Sequence, residues 1–238
     1  MKRIPLLFEN EYCMVLNKPA GLAVQGGKGI GISLDSILEE SFKVRPLLVH
    51  RLDRDTSGVI LVAKNREAAA VFSKVLGEKK PGLIKQYIAI TSGIPVPEKG
   101  VIQLDLEIQG KSRKSETSYK LLGSGNILDT VFSLMELELG TGRMHQIRRH
   151  LMLINHPVLG DDKYGDFSLN RELKKAAGLK RLLLHAGRLQ IPPIQPVLPV
   201  GFDIIEPPPD YFTPFLDLLK NADQSVSTGK AVDTQCVF

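Results

Sequence analysis

Apolar residues recur in two rhythms along this chain. The apolar runs EYCMVL at 11–16, VILVA at 59–63 and YIAIT at 87–91 predict strands. The VILVA run is apolar throughout, as in a strand buried on both faces. Alternation is imperfect over VIQLDLEIQ (101–109), TSYKLL (117–122) and VFSLMELEL (131–139), which suits antiparallel strands. The polar stretch GKSRKSE after the first of these predicts a loop. Helical spacing follows a Ser33 cap (Leu34, Ile37, Leu38, Phe42) and an Asn65 cap (Ala68, Phe72, Val75, Leu76, stopped at Gly77). It recurs after Gly142 (Ile147, Leu151, Ile154) and after Thr213-Pro214 (Phe215, Leu216, Leu219). Leu182 to Leu184, with His185, predict one more short strand. Strands and helices do not alternate regularly, so a doubly wound sheet is disfavoured. The pattern predicts an α+β fold: a mixed, mostly antiparallel sheet flanked by helices and loops. Residues 1–220 read as one folded unit, and the polar, aperiodic 221–238 as a mobile tail.

Composition narrows the class. The chain has 238 residues, 43% hydrophobic and 24% charged, enough for a sizeable core. No apolar run approaches the ~20 residues of a membrane span, and MKRIPLLFENEY is a poor secretory signal. The two cysteines, Cys13 and Cys236, imply no disulfide framework and favour a reducing cytoplasm; neither lies in a CxxC, so no zinc site is expected. His145 and His150 are five apart, not the four that sets two metal ligands on one helical face. The net charge of +5 suits a polyanion but by itself excludes little. The glycines of GGKGIG at 26–31 have the wrong spacing for a dinucleotide fingerprint. With no coiled-coil pattern, a monomer is expected.

Two segments concentrate chemistry. HRLDRDTSG at 50–58 sets seven polar residues and a glycine directly before an apolar strand. Such a loop can hold an acid at a cleft, or can be a solvated turn closed by its own Asp and Thr side chains. GTGRMHQIRRH at 140–150 leads glycines into a cation-rich helix start, which can bind phosphate or be a solvated basic face. Residues alone leave both pairs of readings open. They also admit paired carboxylates, Asp53 and Asp55, as in a glycoside hydrolase.

Six motifs taken together resemble the RluA-type pseudouridine synthases. HRLDRDTSG is similar to HRLD-x-x-TSG, NKPAGL (17–22) to the motif near the catalytic-domain start, and Lys85-Gln86-Tyr87 to K-x-Y. TGRMHQIRRHL (141–151) resembles TGR-x-HQIR-x-HL, HPVLGDDKYG (156–165) resembles HP-[IV]-x-GD-x-x-YG, and LLHA (183–186) the LHA motif. They occur in the family's order over roughly residues 8–210. Only 16 residues precede Asn17, so the chain resembles minimal members without an S4-like RNA-binding domain.

The resemblance implies the pseudouridine synthase fold and an RNA-modifying isomerase acting on a flipped-out uridine in a ribosomal or transfer RNA stem-loop. Asp53 is then the catalytic carboxylate, which can attack C1′ or C6 or remove the C2′ proton. Arg148 is the cation that holds it, and Tyr87 stacks on the base. Leu183 is an apolar wall, and Arg51 fills the stack that the uridine leaves. Lys18, Arg54, Arg143 and Arg149, with Lys111, Arg113 and Lys114, are phosphate candidates. His50, His145 and His185 support the cleft through hydrogen bonds. Nothing is gained or lost in the isomerisation, so no cofactor or metal is expected. The competing reading within RNA biology is a non-catalytic RNA-binding or chaperone protein on the same fold.

Overall fold

Residues 57–63 form a strand buried along its whole length, and the sheet is built outward from it. The computed structural model describes residues 4–27, 29–41, 45–127 and 130–219. The expected tail at 221–238, Cys236 and Phe42 lie outside the described residues. In chain order the first half runs β1 (Leu6–Glu9), β2 (Cys13–Lys18), α1 (Leu34–Ser41), β3 (Leu47–Leu48), β4 (Ser57–Ala63), α2 (Arg66–Gly77) and β5 (Ile84–Ser92). Then follow β6 (Lys99–Ile102), β7 (Leu106–Ile108), β8 (Lys111–Arg113), β9 (Thr117–Ile127) and β10 (Thr130–Leu139). The chain continues through α3 (Gln146–Leu153), α4 (Phe167–Ala176), β11 (Leu184–Ile191), β12 (Phe202–Ile205) and a helix over 213–219, α5.

One sheet runs in the order β1-β2-β4-β11-β5-β10-β9-β6, with β12 added beside β11 and β3 beside β4. Every pairing in it is antiparallel except β4 with β11. The fold is therefore α+β with a mixed, mostly antiparallel sheet. Alternation along the strands divides the core. Met14, Leu16, Ile60, Val62, Tyr87, Ala89, Met135 and Leu184 face one side, covered by Leu34 and Leu38 of α1 and by Ile147 and Leu151 of α3. On the other side Val15 and Leu61 meet Phe72 and Leu76 of α2. Farther along that side Ile90 and Phe132 meet Leu173 of α4 and Phe215 of α5.

Of the expected caps, Asn65 holds through its side chain, its Oδ1 accepting Ala68 N–H at 2.9 Å. Ser33 stands at the start of its helix, where its carbonyl accepts Ile37 N–H at 3.1 Å, but its hydroxyl donates to Asp35 instead of capping. Thr213 is already in helical conformation. The expected strand 101–109 is two strands, and the expected loop after it contains a third. β7 turns into β8 through Gln109 and Gly110, both at positive φ (52° and 71°), a two-residue hairpin in sequence too polar to show strand alternation. Also unforeseen are β1, β12 and α4, whose only buried residue is Leu173.

The parallel crossing of β4 and β11 positions the functional loop. Gly58 lies at φ +113°, and a Cβ there would stand 2.2 Å from the Ala186 carbonyl oxygen, so only glycine permits the approach. β11 reaches β4 at Ser57 and Gly58, and β3 reaches it at Val62 and Ala63. In the gap between them, His50 Nε2 accepts the Leu61 N–H at 2.8 Å. Burial, with the Lys85 charge, lowers His50 from 6.5 to about 4. Because the unfolded chain binds this proton below about pH 6.5 and the folded one does not, stability should be full above that pH. It should fall by about 3 kcal/mol as pH drops toward 4. Urea midpoints measured across this window should decline in the wild type and decline less in His50→Gln.

Candidate active site

Asp53 sits on the loop before β4. Leu52, 3% exposed, is locked into the core, which leaves its neighbours Arg51 and Asp53 to face outward. Thr56 N–H donates to the Asp53 carbonyl at 3.2 Å and closes the turn. The segment after β2 fastens that turn from below. Lys18, at the strand's end, is fully buried, and its Nζ donates to the carbonyls of Pro19 (3.0 Å), Leu22 (2.8 Å) and Arg54 (3.0 Å). Gly21 N–H also donates to the Arg54 carbonyl, at 2.8 Å. Burial lowers the Lys18 ammonium to about 8 against the opposing charges of Asp55 and Asp53. Lys18 is thus not a phosphate contact: all three of its donors are used on backbone carbonyls, away from solvent. Lys18→Met should cost about 3 kcal/mol in urea unfolding by leaving those carbonyls unpaired. It should leave the salt dependence of RNA binding unchanged, whereas loss of a phosphate contact would flatten that slope.

The cation beside Asp53 comes from α3. Gln146 fixes the start of that helix. Its Oε1 accepts from Thr141 Oγ1 (2.7 Å) and Arg143 N–H (2.9 Å), while its Nε2 donates to the Glu116 carbonyl (2.8 Å) and Thr117 Oγ1 (2.9 Å). Two residues on, Arg148 reaches Asp53 Oδ2 through Nη1 at 3.3 Å. Its other edge forms a two-pronged pair with Asp161, Nε to Oδ2 and Nη2 to Oδ1, each 2.7 Å. Burial opposes the Arg148 charge, but Asp161 first and Asp53 second outweigh it and raise its proton affinity. Asp161 is 1% exposed and also accepts the N–H groups of Lys163 and Tyr164, both at 2.9 Å. Burial works to raise its carboxyl, yet these bonds, led by Arg148, hold it below the ordinary range. Gly160, at φ +76° with the Arg181 carbonyl 2.1 Å from where a Cβ would be, lets the chain turn just before it.

His145, at φ 53°, contributes the second group beside the carboxylate. Its Nε2 lies 3.7 Å from Asp53 Oδ1 and its Nδ1 3.0 Å from the Tyr164 hydroxyl. Burial lowers its basicity despite Asp53. A neutral ring with its proton toward the carboxylate accepts from Tyr164 at Nδ1. The Arg148 guanidinium packs over the Tyr164 ring at 5.2 Å. Sequence reasoning assigned Asp161 and Tyr164 no role, although both lie in the HPVLGDDKYG motif.

Tyr87, from β5, completes the arrangement. A cavity of about 110 Å³ is lined by Asp53, Tyr87, Arg148, Arg51, Arg143 and Leu184, among others. Five expected site residues, Asp53, Tyr87, Arg148, Arg51 and Arg143, thus share one cavity. Burial, reinforced by the Asp53 charge, pushes the Tyr87 phenol well up, so it keeps its proton. Leu183 does not join them. It is fully buried among Ile90, Leu179 and Phe212 on the opposite side of the sheet, and Leu184 supplies the apolar wall. Side chains change face at each step of a strand, so a one-residue difference in phase accounts for the correction. Thr56 Oγ1, beside the cavity, is buried without a hydrogen-bond partner among the described residues. Thr56→Val should therefore cost no stability and add about 1 kcal/mol in urea unfolding.

The remaining candidates lie around the rim. Arg54 is exposed and pairs with Asp55 at 3.4 Å. Asp55 does not line the cavity that holds Asp53. Arg143 Nε and Arg149 Nη1 donate to the carbonyls of Lys114 (3.2 Å) and Glu107 (3.0 Å), tethering the β7–β8 hairpin. Lys111, Arg113 and Lys114 are exposed on or beside that hairpin. His185 Nδ1 meets Ser57 Oγ at 2.9 Å and its Nε2 meets the Glu206 carbonyl at 3.0 Å, fixing the end of the Asp53 loop to β11. Among the described residues, no group of three or more His, Cys, Asp or Glu side chains is placed to hold a metal, and no helix is long and apolar enough to cross a membrane.

Comparison with known proteins gives a consistent result. A family model described as RNA pseudouridylate synthase matches residues 12–153. A ribosomal large subunit pseudouridine synthase C from Buchnera aphidicola is 36% identical over 231 residues, covering 90% of this chain and 70% of that relative. The protein of the same name from Rickettsia prowazekii is 38% identical over 207 residues; the match covers 78% of this chain and 62% of that relative's length. The solved structure of human RNA pseudouridylate synthase domain containing 4 superposes with a TM-score of 0.72 at 26% identity, over 90% of this chain and 92% of that one.

Proposed function

The chain belongs to the RNA pseudouridylate synthase family, and from that premise we propose that it isomerises uridine to pseudouridine in RNA at the cavity holding Asp53. The observation that carries the proposal is the meeting of Asp53, Arg148 and Tyr87 around one cavity, from segments 34 and 61 residues apart in the chain. In the reaction the N1–C1′ bond breaks, the uracil turns within the site, C5 joins C1′, and the C5 proton is exchanged for one at N1. Each route open to a carboxylate, attack at C1′ or C6 or removal of the C2′ proton, needs Asp53 unprotonated and oriented. Arg148 supplies the orientation at one oxygen and His145 the neighbouring contact at the other. Tyr87 enters as a protonated phenol. Its ring is the stacking surface, and it can take up the C5 proton only by passing its own on, with the nearby Asp53 carboxylate as acceptor.

A uridine within a stem must leave the helix to reach this cavity, at a cost of a few kcal/mol that is smaller in loops. Arg51 stands at the mouth, exposed, where a guanidinium can replace the extruded base in the stack. Lys111, Arg113 and Lys114, carried by the tethered hairpin, extend a cationic surface from the cavity and suit phosphate contacts. We take residues 1–220 as the catalytic unit. The names of the bacterial relatives favour large-subunit ribosomal RNA as the substrate.

The test is to map pseudouridine in total RNA from cells with and without this protein. Loss of one or more sites in large-subunit ribosomal RNA is expected. Losses confined to transfer RNA would overturn the ribosomal assignment, and an unchanged map would overturn the activity.

A further inference from the structure

Helix α4 lies between the HPVLGDDKYG and LLHA motifs and belongs to neither. One buried residue, Leu173, holds it to the core, and the proposed reaction makes no use of it. Asp166 accepts the N–H groups of Ser168 and Leu169, at 2.9 and 3.0 Å, which sets Phe167 at the first helical position. Phe167 is 56% exposed and is the one exposed aromatic side chain among the described residues.

Arg171, Lys174 and Lys175 follow Phe167 at i+4, i+7 and i+8. At about 100° per residue, all four fall within an arc of about 100° on the face turned away from Leu173. The three cations are exposed, and none of their side chains has an ion-pair or hydrogen-bond partner among the described residues. Glu172, the acid of this helix, falls outside the arc.

A lone exposed phenylalanine means little. A ring set among uncompensated cations defines an occupant: it must offer a flat apolar face and closely spaced negative charge together. A single strand of RNA offers both at every nucleotide, a base to stack on the ring and a phosphate for a cation. A duplex hides its base faces, so the ring favours unpaired RNA.

The helix is fixed relative to the Asp53 cavity. Asn170 Oδ1 accepts the Gly160 N–H at 2.8 Å, and its Nδ2 donates to the Asp161 carbonyl at 3.0 Å. Asp161 in turn holds Arg148, whose other edge meets Asp53. Beyond the helix, Lys180 and Arg181 are exposed, and Arg181 Nη1 reaches the Ala20 carbonyl at 3.4 Å. The adjoining Gly21 N–H donates to the carbonyl of Arg54, so positive charge continues from α4 to the rim. The stripe from Phe167 to Lys175 is about 12 Å long. It is tied to the site through Asp161, separately from the β7–β8 hairpin.

We infer that this stripe is a second RNA-docking surface, which holds a single-stranded segment beside the stem-loop that delivers the uridine. Its phosphates lie on Arg171, Lys174 and Lys175, and one base stacks on Phe167. The inference rests on the proposed uridine site, since that site defines the stem-loop. The protein would then prefer a target loop with unpaired RNA at its base over the same loop in isolation.

The test uses the full chain, a stem-loop carrying the target uridine, and the same stem-loop with a uridine-free single-stranded extension on its 5′ or its 3′ side. Affinity is measured as a function of salt, and conversion alongside it. One of the two extensions should tighten binding about thirtyfold and steepen the slope of log K against log salt by about 2, from three phosphates at about 0.7 each. Lys174→Gln with Lys175→Gln should remove about 1.4 of that steepening. Phe167→Ala should weaken binding of the extended RNA about fivefold with the slope unchanged, as loss of a stacking surface does. No gain from either extension, or a gain that survives both variants, would overturn the surface. So would losses equal for bare and extended RNA, which would place these residues against the stem. Polyglutamate bound as tightly as the extension would replace RNA by an acidic protein partner and overturn the assignment. Binding that follows the predicted pattern with no uridine converted would uphold the surface and overturn the proposed reaction.

Discussion

Asp53→Asn should abolish pseudouridine formation, lowering kcat by about 10⁴-fold or more, while changing RNA affinity less than about threefold. The amide preserves the size of the side chain and can still accept a hydrogen bond from Arg148 Nη1, so the cavity keeps its shape. What it removes is the negative charge that the proposed reaction requires to attack carbon or take a proton. In the proposed complex the RNA is held by the arginines and lysines around the mouth, which the substitution leaves in place. Single-turnover assays on an RNA that the wild type converts, with binding measured at fixed salt, separate the two quantities. A variant that turned over at the wild-type rate would remove Asp53 from the chemistry. A wild type as inactive as the variant would leave an RNA-binding protein on an enzyme's fold.

The largest effect on stability is expected at Asp161. Its side chain is buried and accepts four hydrogen bonds, two from Arg148 and two from the backbone at Lys163 and Tyr164. Removing one partner of a buried ion pair leaves the other charge uncompensated, at a cost of about 3–5 kcal/mol. Asp161→Ala should therefore unfold at markedly lower urea, and its residual activity should fall because the Arg148 fork is no longer held on its far edge. The pH dependence identifies the mechanism. The folded carboxyl titrates below its unfolded range near 3.9, so its contribution is present above that pH and is lost as pH falls through the lower folded value. Acid unfolding below about pH 4 should be shallower in Asp161→Asn than in the wild type, in a window below that of His50. Equal acid limbs in the two proteins would contradict this assignment.

The framework of the fold was legible wherever burial is continuous. VILVA at 59–63 announces a strand covered on both faces, and the spacing of Ala68, Phe72, Val75 and Leu76 marks the helix face that meets it. The β7–β8 hairpin was not legible, because Lys111 to Arg113 are exposed and carry no alternation; the turn at Gln109-Gly110 was the available signal. Helix α4 escaped for a related reason, as a surface helix with one buried residue sets no period. Asp53, Tyr87 and Arg148 were assigned through motifs rather than through any local rhythm, since no periodicity links positions so far apart. Local pattern misled at Lys18, whose charge in a Pro-Gly turn looks solvated until three carbonyls converge on it. The opposite facings of Leu183 and Leu184 depend on strand phase at β11, and a slip of one residue exchanges core for cavity.

The most direct measurement is the nucleoside composition of a converted RNA. The purified protein is incubated with an unmodified large-subunit ribosomal RNA transcript, which is then digested to nucleosides and separated. The account predicts that uridine is lost, pseudouridine appears in equal amount at unchanged mass, and no uracil is released. Free uracil without pseudouridine, or pseudouridine formed equally well by Asp53→Asn, would contradict it.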